Sequence, residues 1–193
     1  LFSELPEGPR EFLAAEATHW LMRRNQIIST HTVRDGIPEL LERCKADGIK
    51  LGIVSNAHSG VSHRDLLARA GLDHYFGVQV YSDEVGIRKP NPEMIHLAAE
   101  ALGVTAEESW YVGDTFDRDV VAGRRANVGG MIITRCHRTD SRPFAIAEEP
   151  DAVFDTPAGI LDILGTTFDR PAPEPVEYVH DSALLIDHGG VIS

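Results

Sequence analysis

Apolar and polar positions fall along this chain in two alternating kinds of block. Residues 9–27 (PREFLAAEATHWLMRRNQI) repeat apolar side chains at three-four spacing through Phe12, Leu13, Ala17, Trp20 and Leu21, which predicts a helix with Pro9 near its start. Residues 36–47 (GIPELLERCKAD) predict a second helix, stopped by Gly48. The run LGIVS at 51–55 is continuously apolar before it ends in serine, as a strand buried on both faces reads. A helix at 62–70 stops at Gly71, and VQVYS at 78–82 is a short strand. Pro92–Leu102 predicts a helix that opens on Pro-Glu. Strand WYVGD (110–114), a helix at 117–126, strands GMIIT (130–134) and AVF (152–154), and a helix at 157–164 complete the alternation. Residues 165–177 (GTTFDRPAPEPVE) place three prolines within five positions and read as a stiff connector. One more strand, SALLID (182–187), follows before HGGVIS.

Strand and helix alternating in this way predict a three-layer, doubly wound α/β fold on a parallel sheet. Ligands on such sheets bind beyond the carboxyl ends of the strands. The length of 193 residues suits one compact domain, with or without a small appendage. A formal charge of −12 argues against nucleic acid or a membrane surface as partner. The basic pairs Arg23-Arg24 and Arg124-Arg125 read as solvated helix faces. Cys44 and Cys136 are far apart and outside any Cys-x-x-Cys spacing, which suits a reducing cytoplasm. No apolar run approaches the ~18 residues of a membrane span. The start LFSELPEGPR lacks the features of a signal peptide, and a first residue of Leu suits a piece of a longer protein.

Candidate chemistry gathers at the strand ends. Ser55 and Asn56 close LGIVS; Asp114 closes WYVG, with Asp119 five residues on; Asp187 closes ALLI before two glycines. Lys89 lies in the loop GIRKPNP. Each residue alone has a plain structural reading as a turn, a helix cap or a solvated charge. Four such groups on one sheet edge are harder to obtain by capping alone. His58, His63, His74, His137 and His188 show no ligand spacing and read as surface or loop residues, with His188 turned away from Asp187.

Taken in order, these segments resemble the haloacid dehalogenase-like hydrolases. LLIDHGGVI looks like the first motif of that family, IVSN the second, the Lys-Pro of IRKPNP the third and VGDTFDRD the fourth. The resemblance is close over 36–134 and brief over 183–192. It implies the family's Rossmann-like fold, with SALLID central between LGIVS and WYVGD, and divides the chain into four parts. Residues 1–35 would be the tail of a truncated helical cap, 36–164 the core, and 165–181 a Pro-rich linker. Residues 182–193 would be the nucleophile strand completing the core, or the start of a following domain.

The chemistry expected is Mg2+-dependent hydrolysis of a small phosphomonoester, a small phosphorylated metabolite, through an aspartyl-phosphate. Phosphoryl transfer needs a nucleophile, a cation and neutral donors. Asp187 would attack phosphorus. Asp187 and Asp114 would supply Mg2+ with hard carboxylate oxygens, and the resemblance adds the backbone carbonyl of Gly189. Asp119 would hold a metal-bound water or Lys89. Ser55, the Asn56 N–H, Lys89 and Gly190 would grip the phosphoryl group.

Two departures stand out. Family phosphatases usually carry a second Asp, the general acid, two residues after the nucleophile, and Gly189 occupies that position. A dehalogenase or phosphonate hydrolase using Asp187, or a catalytically impaired binding or regulatory domain, are the alternatives; the Gly113-Asp114 pair favours phosphate chemistry. The second departure is order, since the nucleophile motif comes last. Circular permutation, a tandem arrangement, or segments joined out of order would each produce it.

Overall fold

The computed structural model describes residues 4–28, 31–168 and 183–191. Most of the expected linker (169–181) and the first residue of the expected nucleophile strand, Ser182, lie outside them. The first helix, α1 (Glu7–Ile28), leaves Phe12, Leu13 and Trp20 exposed. Gly36 then turns the chain with φ 84° into α2 (Ile37–Ala46). That left-handed backbone suits glycine, which has no Cβ to clash. The alternation follows as β1 (Lys50–Ser55), α3 (Gly60–Arg69), β2 (Val78–Tyr81), α4 (Ser82–Val85) and α5 (Glu93–Leu102). It continues through β3 (Ser109–Gly113), α6 (Val121–Arg125), β4 (Gly130–Thr134), β5 (Ala152–Phe154) and α7 (Ile160–Ile163). The described chain closes on β6 (Ala183–Ile186) and α8 (His188–Val191).

The six strands form one parallel sheet in the order β2-β1-β6-β3-β4-β5. The last strand in sequence is therefore central. Its register sets Ile186 beside Ile53 of β1 on one side and Val112 of β3 on the other. This is why ALLI is apolar at every position: all four residues are buried, with a layer on each face.

Alternation sorts the core into two layers. Leu51, Ile53, Val112, Ile132, Leu184 and Ile186 face α2, α3 and α7. Val54, Tyr111, Met131, Ile133 and Leu185 face α5 and α6. At ~25 cal/mol per Å2 of apolar surface, each fully buried Leu or Ile contributes roughly 1.5–3 kcal/mol.

Three local expectations need correction. The helix expected at 117–126 opens instead as a wider π-helical turn, Phe116–Val120, before α6, and Val120 N–H donates to the Thr115 carbonyl five residues back. Such turns recur at functional sites. The helix expected at 157–164 begins as a 3-10 turn, Pro157–Gly159. HGGV, where no element was expected, is the single helical turn α8.

Candidate active site

The carboxyl edge of the three central strands brings most of the singled-out residues together. Asp187 directly follows β6, and its N–H still donates to Val112 O of β3 at 2.9 Å. β3 ends at Gly113, so Asp114 leaves the sheet beside it. The turn after Asp114 bends Asp119 back beneath the edge. Gly113 makes this possible, because a Cβ there would overlap the Asp119 side chain. Oxygens of Asp114, Asp119 and Asp187 lie within 4.8 Å of one another, and all three residues are buried.

Lys89 reaches this cluster from the loop before α5. Its Nζ lies 2.7 Å from Asp119 Oδ1, 2.7 Å from Asp187 Oδ1, 2.8 Å from Tyr111 Oη and 3.2 Å from Val54 O. Only 6% of the residue is exposed. Burial alone would lower the ammonium pKa, but Asp119 and Asp187 outweigh it and hold the value well above the ordinary lysine range. Burial would likewise raise Asp119. Lys89 and the Thr115 hydroxyl and N–H instead hold that carboxyl far below its usual range. Asp119 Oδ2 accepts from Asp114 N, Thr115 N and Thr115 Oγ1 at 3.1, 2.8 and 2.7 Å. Both of its oxygens are thus engaged.

Asp114 is the least compensated member. Burial raises its carboxyl, Asp187 and Asp119 raise it further, and Arg138 and Cys136 oppose them. Arg138 Nη2 is 3.1 Å from Asp114 Oδ2, and Cys136 Sγ 3.3 Å from the same oxygen. Gly189 completes this side. Its N–H donates to Asp187 Oδ2 at 3.0 Å, and a Cβ at this position would stand 2.9 Å from Asp114 Oδ2 and 3.0 Å from Asp187 Oδ2. Clustered buried carboxylates with a glycine cleft between two of them suit a small, hard cation. Asp114, Asp187 and the Gly189 carbonyl could supply its oxygens, whereas Asp119, expected among the ligands, has both oxygens taken by Lys89, Thr115 and the Asp114 N–H. Arg34 Nη1 is 3.4 Å from that carbonyl.

Ser55, buried at the end of β1, and Asn56 lie beside β6. The Asn56 side chain clamps the lysine loop, donating to Lys89 O at 3.0 Å and accepting from Lys89 N at 2.8 Å. Gly190 lies within α8.

Sequence reasoning missed several neighbours. Tyr111 and Thr115 saturate the Lys89–Asp119 pair; the available signal was that a hydroxyl in a buried strand must find partners. Arg34, Cys136 and Arg138 surround Asp114, and nothing in their spacing marks them. The reading of those five histidines as surface or loop residues is corrected at two positions. His188 is buried and its ring lies 4.1 Å from that of His63, which is half-buried in α3. Burial, with His63, His31 and Lys89 nearby, pushes His188 down to about 3.

A family model described as haloacid dehalogenase-like hydrolase matches residues 4–127, a span that holds Ser55, Lys89, Asp114 and Asp119 but stops before Asp187. A glyceraldehyde 3-phosphate phosphatase from Methanopyrus kandleri is 38% identical over 133 residues, which are 67% of this chain and 55% of that protein. The chain therefore spans just over half the length of this relative. The solved structure of a HAD phosphatase from Thermococcus onnurineus superposes with a TM-score of 0.56 at 27% identity, over 68% of this chain and 57% of the other. A predicted phosphoglycolate phosphatase from Haemophilus somnus shares the fold with a TM-score of 0.63 at 23% identity, over 83% and 69% of the two chains. Among the described residues, no helix is long and apolar enough to cross a membrane.

Proposed function

We propose that this chain, which belongs to the haloacid dehalogenase-like hydrolase family, hydrolyses a small phosphomonoester with Mg2+ through an aspartyl-phosphate on Asp187. The observation that carries the reading is the setting of Asp187. It ends the central strand with an ammonium 2.7 Å away on one side and the Asp114 carboxylate within 4.8 Å on the other. The similarity to a protein named as a phosphatase of glyceraldehyde 3-phosphate supports a small phosphate ester as substrate.

When bound, Mg2+ supplies positive charge that neutralises the phosphoryl oxygens and turns them toward the nucleophile. The chain does the rest. An Asp187 oxygen forms a bond to phosphorus as the ester P–O bond breaks, and the leaving oxygen takes its electron pair. Gly189 has no proton to give it, so the proton comes from solvent. Lys89 neutralises the nucleophile before attack and can follow the negative charge onto the phosphoryl group as the acyl phosphate forms. Asp119, saturated by Thr115 and Asp114 N–H, holds Lys89 at the distance this needs. The Ser55 hydroxyl and the Asn56 backbone N–H would hold a phosphoryl oxygen. Water then attacks phosphorus, the bond to Asp187 breaks, and phosphate and the free carboxylate are released.

The glycine at 189 favours a second reading, a binding domain that keeps the fold and has lost turnover. Hydrolysis of phenyl phosphate with and without Mg2+ separates the two. Metal-dependent phosphate release supports the hydrolase. No release at any Mg2+ concentration, from protein that binds inorganic phosphate, supports the binding domain.

A further inference from the structure

The segment that follows β4 is a basic stretch at the catalytic edge. Residues 135–142 (RCHRTDSR) hold three arginines and a histidine in a chain of net charge −12. Two nearby guanidiniums are committed to the fold. Arg135 pairs with Asp140 and Asp155. Arg34 donates to Thr134 Oγ1, Arg135 O and Gly189 O.

The remaining two are held in place but keep donors open. Arg138 reaches Asp114 Oδ2 through one terminal nitrogen, while its side chain is 52% exposed. Arg142 is laid over the ring of Phe116, with its guanidinium carbon 3.5 Å from the ring centroid. It forms no ion pair among the described residues. Phe116 is itself buried and opens the turn that carries Asp119. A face stacked on a fixed ring leaves the edge of the guanidinium, with its N–H donors, directed outward.

Both arginines therefore lie on the β3–β4 side of Asp187. Ser55 and Asn56, at the end of β1, are on the other side. A phosphoryl group held against Ser55 and Asn56 does not need these guanidiniums, whereas another anion on the same small molecule does. We propose that the substrate carries a second anionic group, a carboxylate or a second phosphoryl, which Arg138 and Arg142 grip across the site from the phosphoryl being transferred. This rests on the phosphomonoesterase reading and names its substrate class. Planar guanidiniums match either anion through paired N–H donors. The acidic surface elsewhere would repel an extra anion, so any preference for one must be local.

Calorimetric titration of the full chain, with Mg2+ in excess of ligand, tests this with three inert phosphonates. Ethylphosphonate has no second anion, 3-phosphonopropionate adds a carboxylate, and ethane-1,2-diphosphonate adds a second phosphoryl. At least one of the latter two should bind tenfold or more tighter than ethylphosphonate, a gap of about 1.4 kcal/mol. The tighter of the two identifies the anion. Arg138→Gln and Arg142→Gln should each shrink the gap several-fold. Equal affinity for all three ligands, or binding of none, overturns the proposal. So does an equal loss for all three in the variants, which would assign the arginines to the transferred phosphoryl. Turnover is a separate readout. An affinity gap without hydrolysis of phenyl phosphate would refute the hydrolase and leave the second-anion site standing. Hydrolysis without a gap would do the reverse.

Discussion

Replacing Lys89 by Met tests whether one ammonium holds the acidic edge together. Methionine keeps the length of the side chain and its apolar stem but removes the charge. In the wild type, Lys89 Nζ is 2.7 Å from both Asp119 Oδ1 and Asp187 Oδ1 and almost fully shielded from water. Its loss leaves three carboxylates within 4.8 Å of one another and no buried cation between them. Removing one partner of a buried ion pair costs about 3–5 kcal/mol, because the other partner stays desolvated and unpaired. At ~2–4 °C per kcal/mol for a chain of this size, Lys89→Met should melt roughly 6–20 °C below the wild type in chelator at neutral pH. The pH dependence has a definite sign. The folded Asp119 carboxyl is depressed by Lys89, so the stability it contributes is present above the ordinary carboxylate range and is lost as pH falls through the depressed value. The gap between the two proteins should thus be full at neutral pH and narrow below about pH 4. Melts followed by circular dichroism across this range check both statements. A variant within about 2 °C of the wild type at neutral pH, or a gap that widens on acidification, would refute the assignment of Lys89 as the compensating charge.

Further expectations follow from the same geometry. Mg2+ should raise the melting temperature of the wild type, since it binds the folded state alone, and Asp114→Ala should remove most of that shift; an undiminished shift places the metal elsewhere. Gly189→Ala, which adds a Cβ 2.9–3.0 Å from Asp114 and Asp187 oxygens, should weaken the Mg2+-induced shift without a φ penalty; an unchanged shift means the cleft is not used. Wild-type kcat/KM should fall steeply as the leaving-group pKa rises, because no acid stands at 189. Gly189→Asp should not cure this, since its Cβ crowds the same two carboxylates; a flat wild-type dependence would identify another proton donor. Asn56→Ala should lower kcat by about tenfold or more by freeing the Lys89 loop, at an estimated stability cost of ~1–3 kcal/mol for the two lost hydrogen bonds; unchanged kinetics would make the clamp incidental.

The parts of the fold legible in the sequence are those where burial dictates composition. LGIVS and GMIIT are packed on both faces, so their apolar runs mark them as strands without any tertiary knowledge. The central place of SALLID was not visible in its own residues; it came from the resemblance of its segment to the family's first motif, and the sheet has it between β1 and β3. The π-helical turn at 116–120 escaped because it goes with side-chain hydrogen bonds that no periodicity marks, Asp119 folded back onto Thr115 beside Gly113. The helical turn at HGGV escaped for a related reason: two glycines argue against a helix locally, yet the turn packs against β1 and β3. His63 and His188 are distant in sequence and meet only through the packing of α3 on the sheet edge. Arg138 and Cys136 reach Asp114 from the loop after β4, and a loop has no periodicity from which such a meeting could be read. Asn56 was singled out for its backbone, while its side chain proves to be the clamp on Lys89.

The central claim is that Asp187 takes the phosphoryl group from the substrate. Rapid quenching of the chain with a radiolabelled aryl phosphate and Mg2+, followed by peptide mapping in acid, tests it most directly. The account predicts a transient, acid-stable label on the peptide containing Asp187, absent in Asp187→Asn, which keeps the wild-type circular dichroism but no longer turns over. Turnover at the wild-type rate by Asp187→Asn, or label on a peptide without Asp187, would contradict it.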